Sequence, residues 1–207
     1  MGVHTPDQVS PATSAITYWT AVPAHELAQR DWRDVAATHR AVMALFDEHL
    51  PGPAHERRAC AGILYRLDDT PHGRFVLVQS RVPPTRPTPS TLTKDATAAL
   101  RPPRGTSVRF RVAVNAVQRP ANGGTRPVPN DDVESWLAAK MEPGLTGVNL
   151  LTHTRQVHSR GDRSLQVDTI NGIATVTETT VLTTLLRTGV GRAKAYGCGL
   201  LTLAPAG

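Results

Sequence analysis

Hydrophobic and polar positions in this chain change period in short blocks, and the blocks form two runs of similar order. Ile16 to Val22, ITYWTAV, is rich in β-branched and aromatic residues and predicts a strand. From Arg33 to Leu50 the period changes. Val35, His39, Val42 and Phe46 recur at steps of four and three, the stripe of an amphipathic helix that Pro51-Gly52-Pro53 ends. Ala61 to Leu67 (AGILYRL) and Arg74 to Ser80 (RFVLVQS) flank the turn sequence Asp68-Asp69-Thr70-Pro71-His72-Gly73 and predict a hairpin. Val82 to Pro89, VPPTRPTP, cannot be a regular helix, and no clear period follows it up to Arg104.

A second run then begins. Thr106 to Val117 alternates outward Arg with inward Val and predicts a half-buried strand. Pro127 to Lys140 predicts a helix with Asn130 as N-cap and Asp131, Asp132 and Glu134 in its first turn. Asn149 to Thr152, Ser164 to Ile170 and Gly172 to Thr177 predict three further strands. A helix from Glu178 to Thr188 and a closing strand from Gly199 to Leu203 complete the run. The pattern is two α+β units in tandem, each an antiparallel sheet with helices on one face. The expected organisation is a flexible extension over residues 1–13, one domain over 14–103 with the junction at Arg101-Pro102-Pro103, and a second over 104–207.

Composition narrows the partner. Aromatics make up only 4% of the chain, so the cores must rely on Val, Leu, Ile and Ala. A net charge of +6 and a pI near 10.0 suit a polyanion, without choosing among RNA, DNA and an anionic membrane. No apolar run approaches the ~20 residues of a spanning helix, so a membrane is the weakest of the three. The N-terminus lacks a secretory layout, and Cys60 and Cys198 have neither CxxC nor metal-type spacing. The expectation is a cytoplasmic protein with two reduced thiols and no metal or cofactor.

Two segments carry candidate chemistry. In the first, Gly189, Gly191, Gly197 and Gly199 bracket Arg192 and Lys194 between a helix and a strand. Glycines let a backbone approach a phosphate closely and present N–H donors to it, and two cations suit that use. A tight helix-to-strand turn without ligand fits the same residues, and the order of elements excludes a Walker A loop. In the second, NLLTHTRQVHSRGDRSLQ over 149–166 holds His153, Arg155, His158, Arg160 and Arg163, with Asp162 as its one acid. Gly161-Asp162 reads as a hairpin tip. The hairpin is either a basic arm for a polyanion or a solvated ribbon, and Arg109 and Arg111 extend its positive surface if they face the same way.

The C-terminal stretch GVGRAKAYGCGLLTLAP, 189–205, resembles the glycine-rich signature of CasE-type CRISPR repeat endoribonucleases, the Cascade subtype I-E branch. RDVAATHRAVMALF (33–46), LVQSRVP (77–83), VRFRVAVNAV (108–117) and RPVPNDDVESWL (126–137) agree in order and spacing, so the resemblance runs from about residue 14 to the end. It implies an α+β fold of two tandem ferredoxin-like (RRM-like) domains. It also implies metal-independent cleavage of precursor CRISPR RNA at its repeat hairpins. A ribose 2′-OH attacks the adjacent phosphodiester, leaving a 2′,3′-cyclic phosphate and a 5′-OH, and the protein stays on the crRNA with the other Cascade subunits.

The resemblance assigns the proton chemistry to His39 and RNA binding to Arg155, Arg160, Arg163, His158 and the glycine-rich loop. The family's tyrosine, one helical turn before the histidine, is replaced here by Ala36. Tyr18 on the first strand is then the candidate phenol, with Arg40 or Lys194 to offset charge. A non-catalytic subunit that only holds the hairpin is the second expectation, and Ala36 is the feature favouring it. A phosphate-binding ferredoxin-like enzyme, resting on the glycines alone, is the third.

Overall fold

The computed structural model describes residues 16–29, 31–119, 123–160 and 163–207, without the side chains of Ser159, Arg160 and Arg163. The expected extension over 1–13 and the hairpin tip Gly161-Asp162 lie outside the described residues. Two four-stranded antiparallel sheets divide the chain.

The first sheet holds β1 (Tyr18–Pro23), β2 (Leu64–Thr70), β3 (Gly73–Ser80) and β4 (Leu92–Asp95), in the order β2-β3-β1-β4. Between β1 and β2 come α1 (Val35–Met43) and the one-turn α2 (Arg57–Cys60). After β3 the proline-rich residues 81–91 form no helix, as expected of them. The second sheet is built from β5 (Ser107–Val114), β8 (Leu145–Arg160), β9 (Arg163–Val176) and β10 (Leu201–Pro205), in the order β10-β5-β9-β8. A small ribbon of β6 (Val117–Gln118) and β7 (Arg126–Pro127) leads to α3 (Val133–Met141), and α4 (Thr179–Thr188) links β9 to β10. In both sheets the fourth strand lies beside the first, and the third lies between the first and the second. These are two ferredoxin-like domains in tandem.

Each core follows from period. Val108, Phe110, Val112 and Val114 alternate into the second core, where Val133, Leu137 and Met141 of α3 and Leu182 and Leu186 of α4 cover them. Val42, Leu45 and Phe46 meet Val22, Val76 and Val78 in the first core. Ala96 and Leu100, just past β4, pack into the second core rather than the first. No helix among the described residues is long and apolar enough to cross a membrane.

Several elements differ from expectation, among them the strand expected over Asn149 to Thr152, which runs from Leu145 to Arg160. The helix predicted to Leu50 stops at Met43, because the Leu45 carbonyl accepts the amides of Thr85 and Arg86 and turns the chain into the core. The turn between β2 and β3 shrinks to Pro71-His72, since Asp68, Asp69 and Thr70 all pair with β3. Asn130 opens a 3-10 turn, and the α-helix begins only at Val133. Finally, Ser164 to Ile170 and Gly172 to Thr177 are parts of one strand, β9. Gly172 does not break it. Any Cβ there would run into the Phe110 ring and stand 2.5 Å from the Asn149 carbonyl, so the glycine makes room for a core aromatic.

The domains are clasped by side chains. Trp19 Nε1 donates to Gln79 Oε1 (3.1 Å), and Gln79 Nε2 donates to the Leu186 carbonyl of α4 (2.8 Å). Arg66 on β2 reaches across to β5 and β10, donating to the carbonyls of Arg111 (2.9 Å) and Leu200 (3.0 Å) and to the Thr202 hydroxyl (3.2 Å).

Candidate functional site

Helix α1 starts firmly. Asp34 accepts the Ala37 amide at 2.9 Å as N-cap, and Gln29 donates to the carbonyls of Asp31 and Asp34 and to Thr38 Oγ1. This fixes the rotation of the helix about its axis. Thr38, Ala41 and Val42 turn inward, and His39 lies half-buried at the margin of that face. Its ring stacks with Tyr65 of β2, centroids 6.5 Å apart and planes 21° from parallel. His39 Nδ1 is sealed from solvent with no hydrogen-bond partner, which leaves Nε2 as the outward nitrogen. Burial first, then the charges of Arg58 and Arg40, hold its pKa below the ordinary histidine value. The ring is therefore neutral near pH 7 and able to accept a proton.

The glycine-rich loop after α4 closes against β2. Gly189, Gly191, Gly197 and Gly199 all take positive φ, and Ala193 between them does so as well (+56°). A Cβ on Gly197 would press on the Tyr65 ring, and one on Gly189 would stand 3.0 Å from Leu64. The amides of Gly189 and Gly199 are already used, donating to the carbonyls of Leu185 and Ala113. Of the four glycines expected to offer amides to phosphate, Gly189 and Gly199 thus have theirs engaged within the protein. Tyr65 fastens the loop, donating its hydroxyl to the Ala195 carbonyl at 2.9 Å. Lys194 thereby comes to rest against α1, half-buried, its pKa lowered by burial and by Arg58. Arg192 is exposed on the same loop.

The structure does not bring Tyr18 next to the Tyr65 ring that stacks on His39. Tyr18 pairs with Ser80 and Asp95 on β1, and β3 separates it from β2, about 10 Å for two strand spacings. The ring stacked on the histidine is that of Tyr65. Tyr65 is 2% exposed, and burial drives its phenol far above the ordinary value, so it keeps its proton throughout the working range and offers no base beside the imidazole.

Between the domains lies a cleft of about 930 Å³, lined by Arg33, Arg74, Arg111, His158, Tyr196 and neighbouring polar residues of β8 and β9. Asp69 pairs with Arg74 there, and Asp68 with Arg66 and Arg111. On the ribbon, β8 and β9 pair up to Arg160 and Arg163, whose side chains lie outside the described residues. Arg155 is not free for a ligand as expected. Its Nε donates to the buried carboxylate of Asp168 (2.7 Å) and its Nη2 to the Val128 carbonyl (2.8 Å). His153 and Gln166 bond the same carboxylate. Burial alone would raise the Asp168 pKa, but the hydrogen bonds from Gln166, His153 and Arg155 outweigh it and keep the group ionised.

Two well-packed ferredoxin-like domains carry an imidazole of lowered pKa beside cations that have no carboxylate partner among the described residues, an arrangement suited to a polyanion. The chain belongs to the family described as CRISPR associated protein, which matches residues 16–205. It is 25% identical over 196 residues to the CRISPR system Cascade subunit CasE of Escherichia coli (strain K12), covering 85% of this chain and 95% of that one. Among solved structures, Thermus thermophilus Cse3 bound to an RNA representing a pre-cleavage complex superposes with a TM-score of 0.72 at 25% identity. It covers 92% of this chain and all of that one. Cas6e from Escherichia coli K-12 gives 0.65 at 23% identity, covering 91% and 99%. The resemblance to CasE-type proteins read from the glycine-rich signature is borne out.

Proposed function

We propose that this protein is a metal-independent endoribonuclease that binds CRISPR repeat hairpins, cuts precursor crRNA and remains on the product within Cascade. The observation that carries this reading is His39: a neutral imidazole with one nitrogen sealed and the other outward, among cations, in a family whose solved relatives include an endoribonuclease bound to RNA. His39 takes the proton of the ribose 2′-OH, O2′ bonds to phosphorus, and the P–O5′ bond breaks. The departing O5′ takes up a proton from water. The products are a 2′,3′-cyclic phosphate and a 5′-OH.

The test is incubation of the protein with its own repeat hairpin in excess EDTA, followed by analysis of the ends. One cut at the 3′ foot of the stem with a cyclic phosphate is expected. Tight binding with no cut would favour the second reading, a subunit that only holds the hairpin, to which Ala36 in place of the family's tyrosine lends support.

The grip on RNA divides between two kinds of arginine. Neutralising Arg160 and Arg163 together is expected to weaken binding and to flatten the salt slope by roughly 1.4–1.8, at 0.7–0.9 per lost phosphate contact. Arg155→Gln leaves that slope unchanged. It instead costs about 1–3 kcal/mol of stability, because it strips a partner from buried Asp168, and a thermal melt should fall by roughly 2–12 °C. A flattened slope in Arg155→Gln would return that residue to the RNA interface.

A further inference from the structure

Three basic side chains from three separate elements gather around α1: the charges of Arg58 and Arg40 act on His39, and Arg58 acts in turn on Lys194, whose turn packs against α1. Arg58 comes from α2, Lys194 from the glycine-rich loop and Arg40 from α1. Among the described residues no carboxylate lies within 4.0 Å of any of them. Arg40 is exposed, so water solvates its charge, but Arg58 and Lys194 are half-buried. The Arg58 guanidinium is held by one bond, Nη1 to the Ile63 carbonyl at 2.7 Å, two residues from the Tyr65 ring that braces His39. The Lys194 ammonium has no protein acceptor among the described residues. Three other cations shielded from water are matched: Arg66 and Arg111 by Asp68, and Arg155 by Asp168. Bringing two cations together and partly out of water is unfavourable unless an anion completes the set.

We propose that Arg58 is a further substrate-contacting residue, whose guanidinium joins the Lys194 ammonium in clamping the scissile phosphate beside His39 and stabilising the charge that builds on it. This rests on the endoribonuclease reading above and deepens it. Guanidinium suits the task, since its fork binds two phosphate oxygens at once and one nitrogen is already anchored. The groups that act on the imidazole are Arg58, Arg40 and the Tyr65 ring, with Lys194 beside Arg58, and Arg58 also keeps the ring neutral.

The experiment compares parent, Arg58→Gln, Arg58→Lys and His39→Ala on the repeat hairpin in EDTA under single turnover. Binding is measured in parallel with a hairpin carrying a 2′-deoxy nucleotide at the cleavage point. Arg58→Gln is expected to cut about 10²–10³-fold more slowly while its Kd for the deoxy hairpin moves less than about threefold. The acid limb of its pH–rate profile shifts to higher pH, because one of the charges holding His39 neutral is gone. Arg58→Lys keeps the charge, so its rate stays within about tenfold of the parent and its acid limb stays in place. If Arg58→Gln cuts like the parent while His39→Ala does not, the Arg58 assignment falls and the endoribonuclease reading stands. If Arg58→Lys is as slow as Arg58→Gln with the parental acid limb in both, the residue serves only to hold Ile63, and the proposal falls. A parent that makes no cut overturns both.

Discussion

Replacing His39 with Ala is expected to slow cleavage of the repeat hairpin by about 10²–10⁴-fold and to leave hairpin affinity within a few-fold of the parent. The two quantities separate because His39 touches the RNA only at the reacting ribose in this reading, whereas basic loops and the ribbon hold the stem. Stability should barely change: the ring is half-buried and makes no hydrogen bond that its removal would strand. The pH dependence follows from the direction of its shift. Burial, then Arg58 and Arg40, favour the neutral ring, so the folded-state pKa lies below the ordinary ~6.5. A base must be neutral to act, and the rate therefore climbs as pH rises through that lowered value and is flat by pH 7. Loss of activity with a midpoint above 6.5 would contradict it. Tyr65→Phe is the matched control. It keeps the stacked ring and removes only the bond to Ala195, so it should cut within about tenfold of the parent. A His39→Ala protein that cuts as fast as the parent would remove this residue from the chemistry.

The sequence singled out His39 through the family resemblance, since its place on the amphipathic stripe by itself reads as structural. Its surroundings were not legible there. Tyr65 sits in an apolar strand and reads as core, and its hydroxyl bonds to Ala195, 130 residues away. Arg58 lies in a single helical turn too short to carry a period. The pairing of Arg155 with Asp168 is a different case, since a signal for it existed. A two-residue tip at 161–162 already places Arg160 opposite Arg163 and, five rungs back, Arg155 opposite Asp168. Charge counting along the segment hid what register would have shown. The tandem architecture was legible in β1, the β2–β3 pair, β5 and α4, where alternation or helical spacing runs for six residues or more. β4 was not: all four of its residues are exposed at a sheet edge, so no buried face marks it as a strand.

The glycine-rich loop shows why the site needs both domains. Its glycines are shaped by contacts with β2, and its lysine reaches a helix of the first domain, so the loop is placed only while β2 and β10 stay in contact. That contact depends on a buried charge. Arg66 is 3% exposed, and its Nε, Nη1 and Nη2 are all engaged: with both oxygens of Asp68, with the Arg111 and Leu200 carbonyls, and with Thr202.

Arg66→Ala is accordingly expected to cost about 3–5 kcal/mol, the range for breaking a buried ion pair by removing one partner. For a chain of this length that is a fall of roughly 6–20 °C in melting temperature, read by circular dichroism. Arg66→Met, which fills the same space without charge, should recover part of the loss. Asp68 supplies a second reading of the same clasp. Burial alone would raise its pKa, but the hydrogen bond and charge of Arg66, with Arg111, outweigh this and hold it below the ordinary ~3.9. A carboxylate depressed on folding adds stability above its unfolded value, and that stability is lost as pH falls through the folded one. The parent should therefore keep the clasp below pH 4, whereas Arg66→Ala should begin to unfold at a higher pH because Asp68 has lost its main partner. Since β2 also carries Tyr65, cleavage by Arg66→Ala should fall even at temperatures where the variant remains folded. A variant that melts within 2 °C of the parent would show that packing alone holds the two domains together.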